Sequence, residues 1–268
     1  MDFDLFKLVI DEFRDSPAKP RIEMDFAGEP TLNPNVHTLV RYAHEMGHHT
    51  YISTNTTVLT RELSTELIKA GLDSIHLCLD GITADAHEAY RMGSRFGQIK
   101  ENIETFIRIK RELGARNPQC IIQTLLTSFS EGQTLELTDW ARKIGADAIS
   151  FKSLSMGTHS PPELRQKYAY LLPKNVELRR KSSVVRKRLC PVIPHQAVVY
   201  WNGDVGLCCA DYYGEILLGN VTQNGLMHTI TSEQALEQRK RGLLRQHDMC
   251  QTCPVADADF VRINVNFS

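Results

Sequence analysis

No stretch of the 268 residues is apolar for long enough to span a bilayer. The opening residues, MDFDLFKLVIDEF, carry acids where a secretion signal needs bases. A cytoplasmic protein that meets no membrane is therefore expected. Charge of either sign is also not in excess: 31 basic against 32 acidic side chains leave a formal net charge of −1, which excludes the broad basic field that nucleic acid demands. One local basic run exists, through Arg179-Arg180-Lys181 and Arg186-Lys187-Arg188. It has no interleaved aromatic on which a base would stack, so it reads as a solvated face and no nucleic-acid partner is expected. Cysteines number seven, an odd count that fits metal ligands plus spare thiols better than a disulfide framework in a reducing compartment.

What is there begins with four of those cysteines. Seventeen residues separate Cys190 from Cys208, Asn202-Gly203 sits as a turn between two apolar runs, and Cys250 and Cys253 form a C-x-x-C. The two-residue gap lets both thiolates ligate one centre from a single turn, while the hairpin and its lead-in bring two more to the other side. Four sulfurs suit zinc or an iron–sulfur cluster, and spacing does not choose between them. The plain reading is four buried thiols packed as small hydrophobes, or two disulfides. After the hairpin, Thr231 and Gln234 read as a capping box that opens a polar helix running to about Gln246 and delivering Cys250. Cys78 and Cys120 lie in apolar runs and read as core thiols.

The first 155 residues alternate helical and strand patterns. Leu5, Phe6, Val9, Ile10 and Phe13 recur at helical spacing; RIEMDF, HTYIST, SIHLCLD, CIIQTLLT and AISFKSLS read as short strands. Between them lie helices over about Val36–Met46, Arg61–Lys69, Ala84–Tyr90, Gln98–Leu113 and Gln133–Lys143. Such an order argues for α/β units around a parallel sheet, as an open or closed barrel. Function in such folds gathers beyond the C-terminal ends of the strands, where Gly28-Glu29-Pro30, Ser53-Thr54-Asn55 and Asp80-Gly81 fall. Each is also an ordinary strand-ending turn. The expected division is a barrel over residues 1–155, a linker with a basic segment over 156–189, and a cysteine domain over 190–268.

Taken together, AGEPTLNP, STNTTVL, LCLDGITADAHEAYRMGSRFGQIKENI and the cysteine region resemble the radical S-adenosylmethionine enzymes that carry a C-terminal SPASM or twitch auxiliary-cluster domain. The resemblance implies a partial (β/α)6 TIM-like barrel with a C-terminal β-hairpin plus helix iron–sulfur domain. Gly28-Glu29-Pro30 resembles the family's GGEP motif, with Ala27 in place of the first glycine, and implies that the acid holds the cofactor's methionine ammonium. Ser53-Thr54-Asn55 resembles its TNG motif, although Thr56 stands where glycine is usual. Asp80 falls on the segment that reaches ribose and methionine, and Arg91 resembles an arginine that pairs the methionine carboxylate; a surface salt bridge is the bland role for it. Glu29, Asn55, Asp80 and Arg91 are expected to face one cavity.

Cys190, Cys208, Cys250 and Cys253 are implied to hold one auxiliary [4Fe–4S] cluster with no open iron, which favours electron transfer or a structural role. The family's C-x3-C-x2-C loop, ligand to the cluster that cleaves S-adenosylmethionine, is not in these 268 residues, nor is the first strand that precedes it. The expectation is an N-terminally shortened form: with the missing segment present a second [4Fe–4S] cluster would form, and the chain as written would not cleave S-adenosylmethionine. The complete enzyme would use a 5′-deoxyadenosyl radical to abstract hydrogen, with the auxiliary cluster accepting an electron and a flavodoxin or ferredoxin as donor. No catalytic residue is singled out, and a peptide, a carbohydrate or a small metabolite such as a cofactor precursor is the open choice of substrate. Two other readings stand beside it: a zinc or iron–sulfur binding module without radical chemistry, and a methionine or nucleotide binder with a structural zinc.

Overall fold

The chain opens on α1 (Phe3–Asp11), which starts where the Asp2 carboxylate accepts the Leu5 N–H at 2.8 Å. The computed structural model describes residues 1–154, 161–179, 181–182, 189–251, 253, 258–259 and 262–267. They fall into two compact units: Pro20–Met156 with Ser160–Lys181 and Phe260–Ser268, and Met1–Lys19 with Gly157–His159 and Ser182–Asp259. This departs from the division expected at 155 and 190, because α1 groups with the cysteine segment and the last residues group with the sheet. Of the linker expected over 156–189, residues 156–160, 180 and 183–188 lie outside the described residues, and with them most of the basic run; α7 (Pro162–Lys167) follows the fifth strand.

In the first unit the strands are β1 (Ile22–Glu23), β2 (Thr50–Thr54), β3 (Ser74–Cys78), β4 (Gln119–Leu126) and β5 (Ala148–Ser153). They pair in that order, all parallel. A sixth strand, Arg262–Asn266, adds antiparallel to β5; it had no counterpart in the sequence reading. The strands alternate with α2 (Val36–Glu45), α3 (Arg61–Lys69), α4 (Ala84–Tyr90), α5 (Phe96–Glu112) and α6 (Thr134–Ile144).

Strand alternation sends Ile52, Ile75, Leu77, Ile122, Ile149 and Phe151 to one face, where they pack with Val40, Leu67, Ile103, Phe106 and Leu137 of the helices. Of RIEMDF only two residues enter the ladder. Among the described residues β1 is an edge strand, paired with β2 alone, and past the Met24 N–H, 2.9 Å from Tyr51 O, Asp25 turns its carboxyl to the Ser53 N–H at 3.0 Å. The loop after β3 closes tightly on α4: a Cβ at Gly81 would stand 2.6 Å from Ala86 Cβ.

In the second unit α1 buries Phe6 and Ile10, and Leu5, Val9 and Phe13 pack on a cluster formed by Ile193, Val205, Leu207, Leu218 and Val221. The three-stranded antiparallel sheet is β6 (Val198–Val199), β7 (Asp204–Gly206) and β8 (Leu217–Asn220). The β6–β7 turn is Asn202-Gly203, with Gly203 at φ +88°, a left-handed backbone that glycine adopts without strain. Helices α8 (Val221–Asn224), α9 (Leu226–Thr231), α10 (Glu233–Leu243) and α11 (Asp248–Gln251) follow. The expected cap is displaced by one residue: Ser232, not Thr231, accepts the Ala235 N–H at 3.2 Å, because the Thr231 hydroxyl donates back to Met227 O at 2.7 Å within α9. α10 ends at Leu243, so Cys250 is carried by α11.

Candidate functional site

Each loop leaving the C-terminal end of β1, β2 and β3 contributes to one cleft of about 210 Å³. Asp25 to Glu29, Ser53 to Asn55, Cys78, Arg91 and Gln123 line it. Glu29 is its most bonded group. Oε1 accepts the Thr31 N–H at 3.1 Å, the Thr31 hydroxyl at 2.5 Å and the Thr54 hydroxyl at 2.7 Å, and Oε2 accepts the Asn55 N–H at 2.7 Å. The carboxylate is thereby fixed, with lone-pair capacity left on Oε2.

On the same cleft, Arg91 donates through Nε to Asp80 Oδ2 at 2.6 Å. Asp80 is 1% exposed and its other oxygen accepts the Leu125 N–H at 2.7 Å. The buried carboxylate beside the guanidinium holds the Arg91 pKa above its ordinary value, although burial opposes this. With Nε occupied, the terminal nitrogens of Arg91 make no hydrogen bond with a described residue.

Of the residues singled out in the sequence, Gly28, Glu29, Ser53, Thr54, Asn55 and Arg91 border the cleft. Asp80 lies one layer behind, holding Arg91, and is not among the lining residues. Pro30 is buried at the first position of a single-turn helix, Pro30–Leu32. Sequence reading missed Asp25 and Gln123, and took Cys78 as a core thiol. Arg21, Glu23 and Asp25 alternate polar side chains at a period of two, the signal that RIEMDF has a polar face. Burial raises Asp25 to about 7, against the Ser53 N–H that lowers it, and raises Cys78 to about 11. Ala27 and Thr56, where the resembled motifs have glycine, stand at φ 49° and 60°, so both residues hold a conformation that a Cβ disfavours. A larger groove between α3 and α5, about 520 Å³ and lined by Arg61, Glu101 and Arg108 among others, is a surface of exposed ion pairs such as Arg61–Glu112 at 3.2 Å.

The four candidate metal ligands gather on the apolar cluster of the second unit. Cys208 and Cys250 belong to its buried core, and Cys190 and Cys253 pack against it. The Cys190 N–H donates to Leu243 O at 2.8 Å and the Cys250 N–H to His247 O at 2.9 Å, while Arg245 Nη2 joins Cys250 and Cys253 by donating to their carbonyl oxygens at 2.9 Å and 3.4 Å. Burial pushes the Cys208 thiol up to about 12 and Cys250 to about 11, with the neighbouring cysteines adding to both.

All seven cysteines are free, so the disulfide reading does not hold. Among the described residues no group of three or more Cys, His, Asp or Glu side chains is arranged to hold a metal ion. In donor type and in gathering on one cluster, the four residues fit a sulfur-ligated centre.

Comparison with known proteins follows from both sites. The Radical SAM superfamily model matches residues 2–118, and the SPASM model, an iron–sulfur cluster-binding domain, matches residues 190–254. A tungsten-containing aldehyde ferredoxin oxidoreductase cofactor-modifying protein of Pyrococcus furiosus is 26% identical over 294 aligned residues, covering 98% of this chain and 82% of that protein. An AdoMet-dependent heme synthase of Methanosarcina barkeri is 27% identical over 202 residues, covering 72% of this chain and 53% of its own length. Among solved structures, anSMEcpe with bound AdoMet superposes with a TM-score of 0.60 at 14% identity, covering 95% of this chain and 76% of that one, a likeness of fold.

Proposed function

Because the chain belongs to the radical SAM superfamily and carries a SPASM iron–sulfur cluster-binding domain, we propose that it serves as a radical S-adenosylmethionine maturase or oxidoreductase acting on a cofactor precursor or a similar substrate. The relatives named for cofactor modification and heme synthesis support that substrate class.

The observation that carries the reading is the order of charge in the cleft. An amino-acid head group bears an ammonium and a carboxylate, and the cleft offers an acid and a guanidinium in matching roles. Glu29, immobilised by four donors, takes the ammonium; Arg91, pinned through Nε by Asp80, turns its free nitrogens to the carboxylate. Asp25, held protonated up to about pH 7, adds a neutral donor beside them. Cys190, Cys208, Cys250 and Cys253 would hold an auxiliary cluster, and four protein ligands suit it to electron transfer or support. When bound, S-adenosylmethionine and iron–sulfur clusters supply one-electron chemistry that removes a hydrogen atom from the substrate. A flavodoxin or ferredoxin is the electron partner this chemistry calls for.

Titration calorimetry with S-adenosylmethionine tests the reading. Binding is expected to weaken about tenfold or more in Glu29→Gln and in Arg91→Gln, the loss of a charge-assisted hydrogen bond in each case. No binding by the parent chain, or equal binding by all three proteins, overturns it.

A further inference from the structure

The face of the sheet turned away from the helices is polar well beyond the cofactor cleft. Strand alternation places Tyr51 and Ser53 of β2, His76 and Cys78 of β3, Gln123 of β4 and Lys152 of β5 there. The Tyr51 hydroxyl is 3.0 Å from His76 Nδ1, which lies 2.9 Å from Gln123 Oε1, and the Tyr51 and His76 rings meet edge to face at 4.9 Å. Burial pushes the His76 pKa down to about 4, so this chain of groups is neutral near pH 7.

Lys152 is the exception. Its ammonium feels the charges of Asp25 and Glu23 on the same face, yet it makes no hydrogen bond or ion pair with a described residue. Directly opposite it across the antiparallel ladder stands Arg262, equally unpaired among the described residues. Like charges facing each other across a ladder destabilise it, and a half-buried ammonium without a partner adds to that cost. Burial first, then Arg262, pulls the Lys152 pKa down. The acids nearby do not balance the pair: Glu23 is bridged to Arg21 at 3.3 Å, and Asp25 is raised to about 7 by its own burial. Two cations and at most one carboxylate leave a surplus of one positive charge when Asp25 is ionised and of two when it is protonated. A carboxylate cancels that surplus when Asp25 is ionised and halves it when Asp25 is protonated.

We propose that Lys152 and Arg262 seat a carboxylate of the substrate on this face, with His76 and Gln123 as neutral hydrogen-bonding neighbours. The assignment rests on the radical S-adenosylmethionine reading for what the substrate is doing there, and it makes the substrate a carboxylic acid. The pair explains itself in these terms: the guanidinium supplies a planar fork and the lysine a point charge, a combination that recognises carboxylate while leaving the empty ladder under strain.

Site-resolved lysine labelling with an N-hydroxysuccinimide ester, read by peptide mass spectrometry, tests it in the full chain, with the exposed Lys143 as internal reference. Acetate is the probe, against inorganic phosphate and chloride at equal ionic strength. Acetate is expected to slow Lys152 labelling about threefold relative to chloride, and Arg262→Met to abolish that protection. Equal labelling in acetate and chloride overturns the proposal; protection by phosphate alone overturns the carboxylate assignment. Thermal melting gives an independent readout. Lys152→Met keeps the stem and removes the repulsion, so its Tm in chloride is expected to rise, and a fall counts against an unpaired ammonium. S-adenosylmethionine calorimetry on the same samples separates the two levels: binding retained without acetate protection sinks the carboxylate seat alone, and binding absent sinks the reading beneath it.

Discussion

Asp25 shows how much a single side chain takes from its surroundings. On an exposed loop it would ionise near 3.8; here burial lifts it to about 7 while the Ser53 N–H pulls the other way. An acid whose folded pKa is raised is a penalty on the ionised folded state. That penalty is absent below pH 4, grows between pH 4 and 7, and is complete above 7. Asp25→Asn keeps an oxygen for the Ser53 N–H and cannot ionise. Its Tm is therefore expected to exceed the parent's at pH 8 and to match it closely at pH 4.5, with equal gains at both counting against the buried carboxyl. Neighbouring Ala27 and Thr56 hold left-handed backbone at φ 49° and 60°, strain of about 1 kcal/mol or more each that lies at the cleft. Thr56 keeps its conformation through bonds on both sides, its N–H to Thr54 Oγ1 at 3.0 Å and its hydroxyl to Asn55 O at 2.8 Å.

Among the elements, α10 depends on its start. Ser232 caps it through the Ala235 N–H, and the helix has few buried residues, Ala235 and Gly242, so little tertiary packing replaces a lost cap. Ser232→Ala is expected to lower stability by about 1 kcal/mol in chemical denaturation, and Thr231→Ala by less. A larger loss at Thr231 would return the cap to the residue the sequence pattern points to. α9 has a different arrangement: its first N–H groups, on Leu226 and Met227, donate to the Glu12 carboxylate at the end of α1. An acid more than two hundred residues away thus does the work of an N-terminal cap. That contact, with Phe6 and Ile10, ties α1 to the cysteine unit.

At the scale of the whole molecule, the four gathered cysteines predict a metal content. Anaerobic reconstitution with iron and sulfide is expected to load about four iron and four acid-labile sulfide per chain, and Cys208→Ala or Cys250→Ala to lose most of both. One zinc without labile sulfide would favour the zinc module instead. The parallel order of β1 to β5, the helices between them and the Asn202-Gly203 hairpin were legible in the sequence, because periodicity and turn chemistry are local and each of these elements obeys them. So were the residues of the cleft that follow strands, since parallel β/α order puts every such loop on one rim. Tertiary structure alone decided the rest. That Arg262–Asn266 pairs with β5, that α1 belongs with residues 182–259, that Asp80 serves Arg91 from behind, and that Lys152 faces Arg262 are long-range facts. No periodicity records them, because the partners lie far apart in the chain and meet only once apolar surface has been buried and the strands have chosen their neighbours.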